Sequence, residues 1–196
     1  MRHDVRDRKV SGLDLVLLDA AVLDALLSGD RERAEGLVGF SFPVGFPDQG
    51  EVEMLRFRRE QLEATPSWGP WLVRAIVDRD RGMLVGVATF HGPPGINDLA
   101  APGAAEIGYV IRAENRNRGY ATEATRALQA WAREQHGVTH FVAGVAPDNL
   151  PSLRVLNKLG YEHTGIIDDG ELIFDLHLDF GTAPRAVAPT GNDVTR

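Results

Sequence analysis

A strand that runs into a basic, glycine-containing turn carries the clearest chemical signal in the sequence. The apolar segment 106–111 is followed by the turn 116–119, after which a helical pattern begins. The first turn of a helix leaves backbone N–H groups unpaired and carries the positive end of the helix dipole. Gly119 keeps this turn free of bulk, and Arg116 and Arg118 add positive charge. Such a turn can bind a diphosphate group.

Two other phosphate-binding loops fit this turn poorly. A Walker loop needs Gly-Lys-Ser/Thr after four intervening residues, and the chain contains no such sequence. A Rossmann turn needs two later glycines, where this chain has Ala121 and Ala124, and it also needs an early βαβ unit. The alternative for this segment alone is an ordinary strand-to-helix turn with surface arginines.

A second polar segment, 148–161, follows the compact apolar run 140–145. Asp148 or Asn149 can cap a short helix there, and Gly160 can end it. Capping explains the chemical type of these residues, so the segment alone indicates only a short capped helix.

Both segments need a framework that brings strand ends and helix starts together. Hydrophobic periodicity predicts seven strands, at 14–18, 71–77, 83–90, 106–111, 140–145, 161–166 and 171–178. It predicts helices at about 23–29, 30–39, 51–63, 119–136 and 152–159. This order indicates an α/β fold with a mixed sheet. We expect one domain over residues 1–180 and a disordered tail, rich in Pro, Gly and Thr, over 181–196.

The composition is that of a soluble globular protein. Of the 196 residues, 43% are hydrophobic and 25% are charged. No apolar run approaches the roughly 18 residues of a membrane span, and the charged N-terminus leads into no signal-peptide segment. We therefore expect a cytoplasmic protein with no membrane partner.

Charge and cysteine content narrow the function further. The net charge of −7 argues against nucleic-acid binding through a broad basic surface. The arginines clustered between 112 and 126 instead suit a small polyanion, although a solvated helix face is the alternative. The absence of cysteine excludes disulfides, thiolate metal sites and a covalent thioester on the enzyme.

Taken together, the two segments resemble the GNAT superfamily of acyl-CoA N-acyltransferases. The first pattern is Arg116-x-x-Gly119-x-Ala121 after Glu106-Ile107-Gly108-Tyr109, and the second is Asn149-x-x-Ser152-x-x-Val155-x-x-Lys158-x-Gly160-Tyr161. The chain is most similar to the branch that includes the ribosomal-protein N-terminal acetyltransferases. The resemblance covers roughly residues 83 to 178 and is weak over the first 80, which shape the acceptor site in this superfamily.

The resemblance implies a central, mostly antiparallel sheet of about seven strands, with the fourth and fifth strands splayed around coenzyme A. The pantetheine arm would pair with backbone on the fourth strand, the turn 117–122 would hold the diphosphate, and Asn149 would bind near the thioester. The residues that the resemblance assigns to acetyl-CoA are Val110, Ile111, Arg112, Arg116, Asn117, Arg118, Gly119, Tyr120, Ala121, Thr122 and Asn149.

The proton donor departs from the family pattern. Many relatives carry a tyrosine four residues before the position of Gly160, where it protonates the departing thiolate. Here that position is Leu156, which has no proton to give. Ser152 is the nearest replacement, either directly or through a water molecule. Its alternative role is helix capping.

A proton acceptor is also required, because an alkylamine has a pKa of about 10.4 and an α-amine about 8, and only the neutral amine attacks a thioester. Glu106 is the candidate base, since the resemblance places its strand beside the thioester. A solvated carboxylate or a structural ion pair is the alternative for Glu106. We assign no role to His136, His140 or His163, and we expect no metal.

The sequence thus predicts an N-acetyltransferase that moves acetyl from acetyl-CoA to a primary amine by direct transfer in a ternary complex. The amine could be a protein N-terminus or a small molecule. Two alternatives are a catalytically idle acyl-CoA sensor on the same fold and an unrelated nucleotide-binding module. The sequence leaves open whether the protein is a homodimer.

Overall fold

The described residues form a central mixed sheet of eight strands. The computed structural model describes residues 12–178 and the backbone of residues 7–10, so the predicted tail 181–196 lies outside the described residues. The strands are β1 (Asp7–Val10), β2 (Leu13–Leu17), β3 (Arg74–Asp78), β4 (Met83–Phe90), β5 (Ala105–Ile111), β6 (His140–Val145), β7 (Glu162–Asp168) and β8 (Glu171–His177). The α-helices are α1 (Ala20–Leu27), α2 (Arg31–Val38), α3 (Gln49–Ala64), α4 (Tyr120–His136) and α5 (Leu150–Leu159).

The strand order is β1-β2-β3-β4-β5-β6-β8-β7. Among the described strands, only β5 and β6 run parallel, and every other neighbouring pair is antiparallel. The predicted α/β class and mostly antiparallel sheet are therefore confirmed. All seven predicted strands are present, and the short β1 adds an eighth at the sheet edge.

The helices cover opposite faces of the sheet. Helices α4 and α5 pack on one face, where buried residues such as Phe90, Leu128 and Phe141 form the larger core cluster. Helices α1 to α3 pack on the other face, around Leu23, Leu55 and neighbouring side chains. No helix in the described part of the chain is both long enough and apolar enough to cross a membrane.

The start of strand β3 was predicted too early, at residue 71. The chain forms a 3-10 helix at Pro66–Trp71, and the strand begins only at Arg74. Pro66 and Pro70 have no N–H group to give to a sheet, which favours this tighter turn. The turn buries Trp71 against Trp131, with ring centroids 5.0 Å apart.

Helix α3 begins two residues earlier than predicted because of a capping box. The Glu51 N–H donates to Asp48 Oδ1 at 2.9 Å, and the Asp48 N–H donates to Glu51 Oε2 at 2.8 Å. These two bonds satisfy backbone donors that the first turn would otherwise leave unpaired.

Candidate active site

The two parallel strands at the centre of the sheet separate after a short contact. Strands β5 and β6 pair only through Ala105 with Phe141 and Glu106 with Val142, whereas β5 pairs with β4 along residues 107–111. The gap that opens between 107–111 and 143–145 is called the splay below. Helices α4 and α5 both begin beyond its open end, because each follows one of these strands. The predicted separation of the two strands is confirmed.

Backbone groups alternate in direction along β5. The Arg112 N–H donates to the Val85 carbonyl at 3.1 Å, and the His91 N–H donates to the Glu106 carbonyl at 2.9 Å. Even-numbered residues of β5 therefore direct their peptide groups toward β4. Tyr109 and Ile111 consequently direct theirs into the splay. Of the three peptides predicted to bind the pantetheine arm, that of Ile111 faces the splay, and those of Val110 and Arg112 face β4.

The Arg112 side chain has a structural partner. Its Nη1 atom donates to both carboxylate oxygens of Glu51, at 2.9 and 2.8 Å, and its Nε atom donates to Glu114 at 3.0 Å. The guanidinium thereby links the end of β5 to the first turn of α3.

The predicted diphosphate turn has an open helix N-terminus. Gly119 is the N-terminal cap residue of α4, and no described side chain hydrogen-bonds to the first turn of this helix as a cap. The backbone N–H groups of residues 120–122 thus point toward the turn without a capping partner. Arg116 and Arg118 are exposed beside them, with Arg116 Nε donating to the Ile111 carbonyl at 3.1 Å.

Gly119 is favoured here by backbone conformation. Its φ is 87° and that of Asn117 is 62°, both in the left-handed region. A Cβ atom at Gly119 would meet nothing within 4 Å. The side chains of Tyr120 and Thr122 turn inward, Tyr120 donating to Asp78 Oδ2 at 2.7 Å and Thr122 being 8% exposed. These two residues therefore offer the turn their backbone only.

Asn149 and Ser152 lie together at the start of α5. Asn149 Oδ1 accepts a hydrogen bond from the Ser152 N–H at 3.2 Å, which confirms that Asn149 caps the helix. Leu156, at the position of the family tyrosine, is 1% exposed in the apolar core.

The hydroxyl of Tyr109 lies beside that of Ser152 at the start of α5. No role was predicted for Tyr109 from the sequence. Its hydroxyl is buried, and no described residue forms a hydrogen bond with it in good geometry. Burial raises the pKa of the Tyr109 phenol, and the Ser152 hydroxyl beside it partly opposes that shift. Alternation along β5 could have identified Tyr109, because it places this side chain on the face covered by α4 and α5.

Glu106 projects from the opposite face of the sheet. It is fully buried, which excludes the solvated carboxylate considered above. Its Oε2 atom accepts the Asp98 N–H at 2.7 Å. His91 Nδ1 lies 3.3 Å from Oε1, close enough for an ion pair but outside hydrogen-bond geometry, so Oε1 has no hydrogen-bond partner among the described residues. The sequence did not indicate His91 or Asp98.

The surroundings of Glu106 and Asp98 shift the pKa values of these two carboxyl groups in opposite directions. Burial alone would raise the pKa of Glu106, but His91 and the Asp98 N–H outweigh it and hold that pKa below its usual value. Partial burial of Asp98 and the negative charge of Glu106 raise the pKa of Asp98 to about 6. Such close groups titrate as a pair. Glu106 therefore stays ionised, while Asp98 can gain or lose a proton near neutral pH.

A third carboxylate reaches the same face of the splay. A Cβ atom at Gly144 would lie 2.5 Å from Glu171 Oε2 and 3.6 Å from Asp98 Oδ2. The carboxylate of Glu171 thus rests against the bare backbone of β6. Asp98, Glu106 and Glu171 together make this face negative, whereas the hydroxyls of Tyr109 and Ser152 lie on the other face.

Known proteins resemble this chain in sequence. The family model described as "Acetyltransferase (GNAT) domain" matches residues 15–162. The uncharacterized N-acetyltransferase YjdG of Bacillus subtilis (strain 168) is 31% identical to this chain over 152 residues, which are 76% of this chain and 85% of YjdG.

Solved structures share the fold. The ribosomal-protein-S5-alanine acetyltransferase of Vibrio fischeri superposes with a TM-score of 0.58 and 15% identity over 89% of this chain and 98% of that one. The microcin C7 self-immunity acetyltransferase MccE, solved with acetyl-CoA and AMP, superposes with a TM-score of 0.57 and 16% identity over 89% of this chain and 100% of that one. At these identities the likeness shows the fold alone.

Proposed function

This chain belongs to the GNAT family of acetyltransferases, and from that premise we propose that it transfers acetyl from acetyl-CoA directly to an amine that binds in its positively charged form and loses a proton before it attacks. The enzyme class is thus N-acetyltransferase. What we propose beyond that class is the co-substrate acetyl-CoA, direct transfer without an acyl-enzyme, and an acceptor amine that is positively charged when it binds. The observation that carries it is the splay, with hydroxyl groups on one face and a carboxylate pair on the other.

The residues at the splay fit acetyl-CoA. The open N-terminus of α4 and the exposed Arg116 and Arg118 suit a diphosphate. The peptide groups of Tyr109 and Ile111 point into the gap, where an extended amide-containing arm could pair with them as a strand would. When bound, acetyl-CoA supplies the thioester carbonyl that the amine attacks.

The carboxylates on the other face would attract the amine and deprotonate it. An amine is mostly protonated at neutral pH, so the charges of Asp98, Glu106 and Glu171 favour its approach. A general base works best when its pKa is near the working pH. Asp98, with its pKa raised to about 6, meets that condition. We propose that the Glu106–Asp98 pair accepts the proton that the amine loses, and that this proton resides on Asp98.

The hydroxyls on the α5 face would assist the leaving sulfur. Ser152 and Tyr109 stand where α5 begins, across the sheet from the carboxylates. We propose that this hydroxyl pair gives a proton to the sulfur in place of the tyrosine that Leu156 has replaced. The amine can then attack from one face of the sheet while the sulfur leaves on the other face, without movement of the strands.

The same features favour catalysis over an idle sensor. A sensor needs to bind acetyl-CoA but has no use for a proton acceptor. Glu106 is 0% exposed, and one of its oxygens has no hydrogen-bond partner in the part of the chain that the structure describes; such a carboxylate is costly to bury and is typical of reactive sites.

The test is an amine panel with acetyl-CoA, in which released thiol is measured alongside thermal stability. The panel should contain peptides with free α-amines and alkyl diamines, each paired with a monoamine of equal length. We expect turnover that favours the diamine over its matched monoamine. Stabilisation by coenzyme A without turnover on any amine would support the sensor instead. No stabilisation by coenzyme A would contradict the assignment of the splay.

A further inference from the structure

Two histidines and an aspartate meet on the sheet surface away from the splay. His140 begins β6, and Asp175 and His177 lie near the end of β8. The antiparallel register pairs His140 with His177 and Val142 with Asp175. Because side chains alternate along a strand, all three side chains of this His140–Asp175–His177 cluster share one face of the sheet.

The polar atoms of the cluster converge on one point. The Nε2 atoms of both histidines lie 3.2 Å from the same Asp175 oxygen, Oδ2. The two imidazole rings stack with centroids 3.9 Å apart and planes 21° from parallel. One ligand atom from each residue lies within 4.8 Å of the other two.

This donor set is one that divalent transition metals prefer. Zinc is bound by imidazole nitrogen at about 2.0–2.1 Å and by carboxylate oxygen at about 2.0–2.2 Å, commonly with two histidines, one carboxylate and a water. Each Nε2 atom is already about as close to Oδ2 as two ligands of one ion are, and the exposed ring of His177 must rotate out of its stack on His140 so that both Nε2 lone pairs point at the metal. We propose that His140, Asp175 and His177 form a binding site for one divalent transition metal ion such as Zn²⁺, with water at the remaining position.

The cluster is both rigid and accessible. Strands β6 and β8 pair over six consecutive residues of each strand, which fixes the backbone beneath it. The side chains of His140 and Asp175 are 20% and 24% exposed, so they are held in place, whereas that of His177 is 68% exposed and leaves an entry path. Glu162 on β7 pairs with Asp175 and adds negative charge on the same face.

The proposed metal site is distinct from the acetyl-transfer site. Val142 is the strand neighbour of both Glu106 and Asp175, which places Asp175 two strand spacings, about 10 Å, from Glu106. The cluster contains none of the residues assigned to the reaction. The metal therefore acts as a cross-link between β6 and β8, and the inference stands whether or not the acetyl-transfer proposal does.

Zinc titration of the untagged full-length protein tests the proposal. We expect one equivalent of Zn²⁺ to bind, and free zinc at 100 times the dissociation constant should raise the folded-to-unfolded ratio about 100-fold, seen as a higher melting temperature. The variants His140→Gln and His177→Gln should each weaken binding at least tenfold. His177 is exposed, so its variant should fold normally.

Two controls decide where the ion binds. His163→Gln, on β7 and outside the cluster, should bind zinc like the original protein. His91→Gln should also bind it normally, although His91 lies in a second group with Asp98 and Glu106 that has ligand-like spacing. Loss of zinc in His91→Gln with retention in His177→Gln would overturn the proposal, as would the absence of any zinc-dependent stabilisation.

Discussion

The backbone N–H of Asp98 donates to Glu106 Oε2 at 2.7 Å, which ties a loop residue to the central strand β5. This bond helps to keep Glu106 ionised, and the resulting charge is one of the causes that raise the pKa of Asp98. The fold therefore holds a proton acceptor with a pKa near neutrality beside the splay.

The pH dependence of kcat/KM should show an acid limb at about pH 6. Below that pH Asp98 is protonated and cannot accept a proton, so activity should fall as the pH is lowered. Glu106→Gln removes the neighbouring negative charge and should move the limb to lower pH. An unmoved limb in Glu106→Gln would contradict the coupling of the two carboxyls.

Replacing Asp98 should reduce catalysis without reducing stability. We expect Asp98→Asn to lower kcat/KM by about 10²-fold, the usual contribution of general base catalysis. The raised pKa means that the fold favours the protonated carboxyl, so its contribution to stability is present at low pH and is lost as the pH rises to about 6. At pH 7 Asp98→Asn should therefore melt no lower than the original protein. Unfolding of the variant would instead indicate a structural role.

The hydroxyl pair should act on the chemical step. We expect Ser152→Ala and Tyr109→Phe each to lower kcat by about one to two orders of magnitude, with little change in the affinity for coenzyme A. Ser152→Ala keeps the backbone N–H that Asn149 caps, so α5 should be unaffected. If both residues serve one proton transfer, the double variant should lose little more than either single one. An unchanged kcat in Ser152→Ala would leave that residue with helix capping only.

The diphosphate turn can be tested with two glycines of the same helix. Gly119 and Gly137 flank α4 with φ of 87° and 70°, and a Cβ atom at either would meet nothing within 4 Å. Valine at either position should therefore cost similar stability, of the order of 1–3 kcal/mol. Only Gly119→Val should weaken coenzyme A binding, by at least tenfold or about 1.4 kcal/mol. Equal affinities of the two variants for coenzyme A, measured by calorimetry, would show that this turn does not bind the diphosphate.

Acceptor charge should be recognised by Glu171. Glu171→Gln should raise KM for a diamine more than for its matched monoamine and leave kcat nearly unchanged. Gly144→Ala should act in the same direction, because its Cβ atom would lie 2.5 Å from Glu171 Oε2 and displace that carboxylate. Equal changes in KM for both amines would show that Glu171 does not select charge.

The sequence was sufficient for the fold and for the separation of β5 from β6, because those parts follow periodic patterns and a recurring motif. The strand–turn–helix at 105–136 follows from apolar spacing and Gly119. His91 and Asp98 could not be found this way, because the segment 91–104 has no periodicity and its position over Glu106 is set by tertiary packing. Tyr109 could have been predicted, since strand alternation alone places its side chain on the other face of the sheet from Glu106.

The most direct test of the account measures thiol release and acetylated amine in the same reaction. Purified protein, acetyl-CoA and the best diamine of the panel should yield one acetylated amine for each thiol released. The rate should fall about 10²-fold in Asp98→Asn, while acetyl-CoA still raises the melting temperature of that variant. Thiol release without acetylated amine, or no release from any amine despite tight cofactor binding, would contradict the proposed acetyl transfer.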